Sequence, residues 1–177
     1  MELLLLIKGN KYIVEDKKSR LLYTVKKKGF GNAKFVLLDA SNYNLYTLMN
    51  TTDLNEKPSF SIILNDSTFM KVTCKSRFFE PTVLCQGKEI SYSLITQNSR
   101  DFSIMDGDVK KGVIETSVSA SGELQYDINI DDKIFDDYIP LFAVVIDKIF
   151  GDANRQPKVI EQIMKDRKEK RMKKENN

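Results

Sequence analysis

The stretch Tyr138-Ile139-Pro140-Leu141-Phe142-Ala143-Val144-Val145-Ile146-Asp147-Lys148-Ile149-Phe150 decides the fold of this 177-residue chain. Its apolar residues cover every direction of a helical wheel, whereas a helix lying on a sheet leaves a polar stripe to solvent. Asp131, Asp132, Asp136 and Asp137 precede it and suit a helix N-terminus; Pro140 suits a first turn and Gly151 the residue after a C-cap. The pattern predicts a buried helix over about residues 138–150. At ~1.5 Å per residue such a helix is about 20 Å long, well short of the ~30 Å hydrocarbon core of a bilayer, so protein must surround it.

Upstream, the sequence supplies the material for a wrapping. Up to Ile130 it consists of short β-branched and aromatic segments broken by turn residues at roughly 8–12-residue spacing, the pattern of an antiparallel sandwich or barrel. Strands are predicted near 2–8, 11–15, 20–28, 33–39, 44–50, 59–65, 67–75, 81–86, 88–96, 101–105, 109–118 and 123–130. Gly29-Phe30-Gly31-Asn32, Asp39-Ala40-Ser41-Asn42, Asn65-Asp66, Gln86-Gly87, Asp106-Gly107-Asp108 and Ser121-Gly122 provide the hairpin turns. In Leu124-Gln125-Tyr126-Asp127-Ile128-Asn129-Ile130 alternation leaves one apolar face. The predicted fold class is mostly β: about twelve antiparallel strands closed into a barrel around the apolar C-terminal helix, an arrangement that also removes exposed strand edges.

Length and composition agree with one folded domain and a tail. The chain is 41% hydrophobic and 30% charged, outside the range of disordered sequences. The domain is expected over residues 1–154 and a basic, partly helical or disordered tail over 155–177. Residues 155–177 carry nine basic and four acidic side chains, whereas the whole chain carries 28 and 25, so the positive charge belongs to the tail. Val159, Ile160, Ile163 and Met164 give the tail a narrow apolar stripe, after which its last dozen residues are expected to fray. The opening Leu3-Leu4-Leu5-Leu6-Ile7 is too short, and follows an acid, for a signal peptide; it reads as a strand. Cys74 and Cys85 fall in predicted strands and read as core thiols, which points to a reduced, cytoplasmic protein, with any membrane contact peripheral.

Several segments resemble the tubby C-terminal-like superfamily, in particular its LURP-one-related branch, with phospholipid scramblases as more distant relatives. They are Leu22-Tyr23-Thr24-Val25-Lys26, Phe35-Val36-Leu37-Leu38-Asp39 followed by Asn44-Leu45-Tyr46-Thr47-Leu48, Asp101-Phe102-Ser103-Ile104-Met105-Asp106-Gly107-Asp108, and the helix ending Val145-Ile146-Asp147-Lys148-Ile149-Phe150. The resemblance covers about residues 1–151. It implies a twelve-stranded barrel around a central helix, and action by binding rather than turnover. The scramblases' longer membrane segment and cysteine-rich run are not matched.

Chemistry is sparse. The chain has no histidine, so neither a Ser-His-Asp or Cys-His nucleophile set nor a His-ligated metal site can be assembled; no catalytic residue, metal ligand or cofactor is nominated. The acids before the helix do not follow a calcium-loop spacing, and helix capping accounts for two of them. Asp147, a carboxylate inside an apolar helix, must find a hydrogen-bonding or basic partner and reads as a structural latch.

Two basic clusters are candidates for an anionic surface. Lys26, Lys27 and Lys28 end a strand, where a charge run also commonly protects an edge. Lys165, Arg167, Lys168, Lys170, Arg171, Lys173 and Lys174 place seven basic residues in ten. Such clusters are drawn to anionic leaflets. Nucleic acid fits less well, because Asp166 and Glu169 interrupt the tail and no aromatic residue in it could stack on a base. The expected function is a non-enzymatic binding module for an anionic phospholipid surface or phosphoinositide-like ligand; the alternative is a structural or regulatory protein-interaction domain.

Overall fold

The computed structural model describes residues 1–30, 34–54 and 56–175. Twelve strands precede two helices: β1 (Glu2–Lys8), β2 (Lys11–Asp16), β3 (Leu21–Lys28), β4 (Lys34–Asp39), β5 (Asn44–Asn50), β6 (Ser59–Leu64), β7 (Ser67–Ser76), β8 (Thr82–Gly87), β9 (Ser91–Thr96), β10 (Asp101–Asp106), β11 (Val109–Val118), β12 (Leu124–Ile130), α1 (Ile139–Asn154) and α2 (Pro157–Glu175). Each strand pairs antiparallel with its sequence neighbours, and β1 closes on β12 through Leu3 opposite Ile128 and Leu5 opposite Tyr126. The barrel and its enclosed helix therefore match the architecture expected from alternation. Gly31 and Asn32 of the first predicted hairpin turn, and Ala33 at the start of a predicted strand, lie outside the described residues.

Alternation places one face of each strand in the core: Tyr12 and Val14 of β2, Phe60 and Ile62 of β6, Phe102 and Ile104 of β10, and Tyr126, Ile128 and Ile130 of β12. Register shifts at Val14/Glu15, Leu37/Leu38, Ile62/Ile63 and Ile104/Met105 bend the strands enough to close the sheet. Gly112 on β11 has a local reason: a Cβ there would lie 2.6 Å from the carbonyl oxygen of Asn129 on β12.

The interior is filled by α1. Ile139 and every residue from Leu141 to Ile146 are fully buried among the inward faces of the strands. Ring pairs Tyr92–Phe142 (6.0 Å between centroids) and Phe102–Phe150 (5.1 Å) join barrel to helix. Burying each large apolar side chain stabilises the fold by roughly 1.5–3 kcal/mol, so this helix is the centre of the core.

Both ends of α1 depart from expectation. The N-cap is Tyr138, with no side-chain capping bond. The preceding acids instead fasten the linker: Asp137 accepts a hydrogen bond from the Tyr23 hydroxyl (2.5 Å), Asp132 meets the N-terminal ammonium, and Asp131 Oδ1 accepts from Lys133 N–H (3.0 Å). At the other end the helix does not stop at Phe150; it runs through Gly151 to Asn154. The reason lies in the latch described below.

The tail is expected to be partly helical, with its last dozen residues fraying. It forms α2, a helix described through Glu175, whose Ile163 is buried. Arg167 donates to the Thr116 carbonyl and pairs with Glu115 (3.0 Å) and Asp101 (2.7 Å); Lys170 pairs with Glu115 (2.9 Å). Carboxylates on β10 and β11 thus give the charged half of the tail something to pack against.

Candidate anion-binding mouth of the barrel

Antiparallel closure sorts the connections into two ends. The β1–β2, β3–β4, β5–β6, β7–β8, β9–β10 and β11–β12 hairpins share one end. The C-terminal half of α1 lies at that end, because Arg77 of the β7–β8 connection donates to the Ile149 carbonyl (2.9 Å) and Asn154 donates to the Ser99 carbonyl (2.9 Å) between β9 and β10. The opposite end is plugged by an aromatic cluster in which Tyr138 meets Tyr46 (5.8 Å) and Phe69 (5.2 Å).

At the open mouth stands Asp147, which is 4% exposed. Its Oδ2 accepts from the Tyr12 hydroxyl (2.8 Å) and its Oδ1 from the Tyr126 hydroxyl (2.9 Å) and Arg155 Nη2 (2.6 Å). Burial, followed by the adjacent Asp147 charge, pushes both phenol groups well above their ordinary value, so both remain donors. The structural latch inferred from the sequence is present, with two tyrosines the sequence did not nominate. Asp147, Gly151 and Arg155 follow a four-residue spacing that places them on one helix face. A Cβ on Gly151 would lie 2.5 Å from both Asp147 Oδ1 and Arg155 Nη1, so glycine leaves room for the guanidinium to fold back.

Around this latch opens a cleft of about 380 Å³, lined in part by Tyr12, Lys27, Phe35, Lys148, Asp152 and Arg155. Lys27 stands opposite Phe35 in the β3–β4 register, on the same side of β3 as the core residue Val25. It therefore turns inward to the rim while Lys26 and Lys28 turn out. Lys148 Nζ sits 5.0 Å from the Phe35 ring centroid and 5.6 Å from that of Tyr12. Desolvation lowers the Lys148 ammonium from its ordinary value; Asp147 opposes this, while Arg155 and Lys27 add to it. Among the described residues, neither Lys27 nor Lys148 has a carboxylate oxygen within salt-bridge distance, whereas Arg155 pairs with Asp147 and, at 3.4 Å, with Asp152.

The sequence-nominated residues thus fall into three groups. Lys27 lines the mouth, with Lys26 and Lys28 exposed beside it. Arg167 and Lys170 are engaged with Asp101, Glu115 and the Thr116 carbonyl on the outer wall. Lys168, Arg171 and Lys174 line a separate cleft of about 410 Å³ between α2 and the barrel that also holds Glu115 and Asp127; Lys165 and Lys173 are exposed on the same helix. Lys148 and Arg155 were missed as members of a site because each is an isolated basic residue in the sequence; only barrel closure brings them to Lys27.

A sequence model of the LURP-one-related family matches residues 2–147. The chain belongs to the LURP-one-related family. The matched segment spans all twelve strands and most of α1, ending at the latch carboxylate. Curated proteins gave no match. Among solved structures the chain is similar to an Arabidopsis thaliana protein determined by X-ray crystallography, at 17% identity over 86% of this chain and 90% of that one, with a TM-score of 0.38. The family-model match bears out the LURP-one-related resemblance read from the sequence. Among the described residues no helix is long and apolar enough to cross a membrane.

Proposed function

We propose that this LURP-one-related chain is a non-enzymatic binding module for an anionic phospholipid headgroup, received at the mouth of the barrel. The observation that carries this reading is the pair Lys27 and Lys148 at one rim beside the Arg155 guanidinium, neither of them, among the described residues, within salt-bridge distance of a carboxylate oxygen. Lys148 loses hydration, and the attraction of Asp147 and Asp152 is opposed by the charges of Arg155 and Lys27, so a phosphate there would gain charge-assisted hydrogen bonds to a partly desolvated ammonium. Lys26 and Lys28 extend the same positive rim toward a charged leaflet.

The basic tail is the second contributor. Its Arg167 and Lys170 are spent on barrel acids, which leaves Lys165, Lys168, Arg171, Lys173 and Lys174 for weaker, nonspecific attraction. Co-sedimentation with vesicles of phosphatidylcholine alone, or mixed with phosphatidylserine or a phosphoinositide, tests the reading. Binding is expected only with acidic vesicles, to fall with salt, and to drop more in Lys27→Glu/Lys148→Glu than in Lys168→Glu/Arg171→Glu. Equal pelleting with neutral and acidic vesicles, or an unaffected mouth variant, would refute it.

A further inference from the structure

Among the described residues, four large apolar side chains are at least nine-tenths exposed: Phe30 (107%), Leu54 (95%), Phe78 (91%) and Phe79 (90%). All four sit at the mouth end. Phe30 lies between β3 and β4, Leu54 between β5 and β6, and Phe78 and Phe79 between β7 and β8, three neighbouring connections around the rim.

Hydrogen bonds order two of these connections. Between β7 and β8, Ser76 Oγ donates to the Phe79 carbonyl (2.6 Å), and Arg77 is tied to the Ile149 carbonyl of α1 (2.9 Å). Between β5 and β6, Ser59 N–H donates to Thr52 Oγ1 (2.8 Å) and Glu56 N–H to the Asp53 carbonyl (3.1 Å). Their largest apolar groups nevertheless face water. They sit on three separate connections around the rim, a spread that a soft, deformable phase can meet.

Charge selects the phase. The six mouth-end connections with their flanks, residues 8–11, 26–34, 51–58, 75–81, 96–101 and 118–124, carry ten basic residues and five acidic ones. Among the described residues, none of Lys26, Lys28, Lys34, Lys57 and Lys75 forms an ion pair; each salt bridge found joins other residues. The connections at the opposite end, residues 16–20, 39–43, 65–66, 88–90, 106–109 and 131–137, carry ten acidic and five basic residues. An anionic surface therefore attracts one end of the barrel and repels the other.

We propose that the tips bearing Phe30, Leu54, Phe78 and Phe79 insert into the interfacial zone of an anionic membrane, anchoring the barrel mouth-down with its lysines at headgroup level. Interfacial amphipathic helices bury an apolar face about 5–10 Å into that zone with Lys and Arg alongside, and these tips combine the same residue types. This rests on the reading of the mouth as a headgroup site and adds to it a hydrophobic anchor and an orientation. With the anchor, salt that screens the lysines should weaken binding without abolishing it.

The chain contains no tryptophan, so Phe78→Trp supplies a single indole reporter. Its emission should shift to the blue on phosphatidylserine-containing vesicles and be quenched by brominated acyl chains, while Phe30→Ser/Phe79→Ser in the same background weakens partitioning by roughly tenfold per aromatic removed. Circular dichroism checks that each variant folds. Pelleting with acidic vesicles without blue shift or quenching would overturn insertion and leave the headgroup reading standing. Failure to pellet with any vesicle would overturn both. A blue shift that needs no lipid and grows with protein concentration would mean that the tips join copies of the chain, and would overturn insertion.

Discussion

Arg155 folds back across Gly151 and sets its Nη2 2.6 Å from Oδ1 of Asp147, eight residues earlier on the same helix. The contact explains three features together: an acid tolerated inside an apolar helix, a glycine kept within it, and a helix that continues past that glycine. The two tyrosine hydroxyls complete the carboxylate's partners and tie α1 to β2 and β12, on either side of β1.

Removing the acceptor is the most damaging single change at the mouth. Asp147→Ala leaves two buried phenols and a guanidinium without their partner and should cost about 3–5 kcal/mol. Arg155→Ala should cost less, about 1–3 kcal/mol, because the arginine is partly exposed and the tyrosines remain. Urea denaturation followed by circular dichroism gives both values; an Asp147→Ala protein as stable as the parent would remove the latch from the account.

Gly151→Ala sets two effects against each other. Alanine is favoured over glycine in a helix by roughly 0.5–1 kcal/mol, yet its Cβ would stand 2.5 Å from a carboxylate oxygen pinned by Tyr126. Arg155 can swing away, but the carboxylate cannot do so without losing its tyrosines, so the variant should be destabilised by about 1–3 kcal/mol. A rise in melting temperature would contradict this.

Acid should loosen the tail before it unfolds the barrel. Burial opposes ionisation of Glu115, but the Lys170 hydrogen bond and the charges of Arg167 and Lys170 outweigh it and hold the carboxyl below its ordinary 4.5. With the folded value depressed, the unfolded chain binds more protons in this range. The contribution is therefore fully present above about pH 4.5 and is lost as pH falls through the folded value. Hydrogen-exchange protection of residues 157–175, referenced to the unfolded-chain rate at each pH, should drop over that window and be flatter in Glu115→Gln.

The two thiols should behave as core. Val72 pairs with Cys85 and Cys74 with Val83, so the cysteines are diagonal neighbours on β7 and β8, both free and buried. Burial pushes the Cys85 thiol well up from its ordinary value, and raises Cys74 against the opposing charges of Arg77 and Lys57. A thiol reagent at pH 8 should label both readily in denaturant and far more slowly in buffer; rapid labelling of Cys85 in the native protein would contradict its burial.

Much of the fold was legible because its determinants are local and periodic. Alternation marked the twelve strands, and the all-round apolarity of residues 138–150 required an enclosure, for which a dozen short strands sufficed. Where the reading missed, the cause was a partner distant in sequence. Asp131 to Asp137 look like helix-capping acids, but Tyr23 and the N-terminus, brought alongside by closure, claim two of them. Gly151 looks like a stop signal until Asp147 and Arg155 are seen on either side of it. Arg167 and Lys170 look like free cations until β10 and β11 present Asp101 and Glu115. The sequence by itself determined the strand pattern, the buried helix and the need of Asp147 for a partner, since each follows from which residues avoid water. Only the tertiary structure decided which cations remain unpaired and that Lys27, Lys148 and the exposed phenylalanines share one end, because charge pairing and surface position depend on which strands and loops closure makes neighbours.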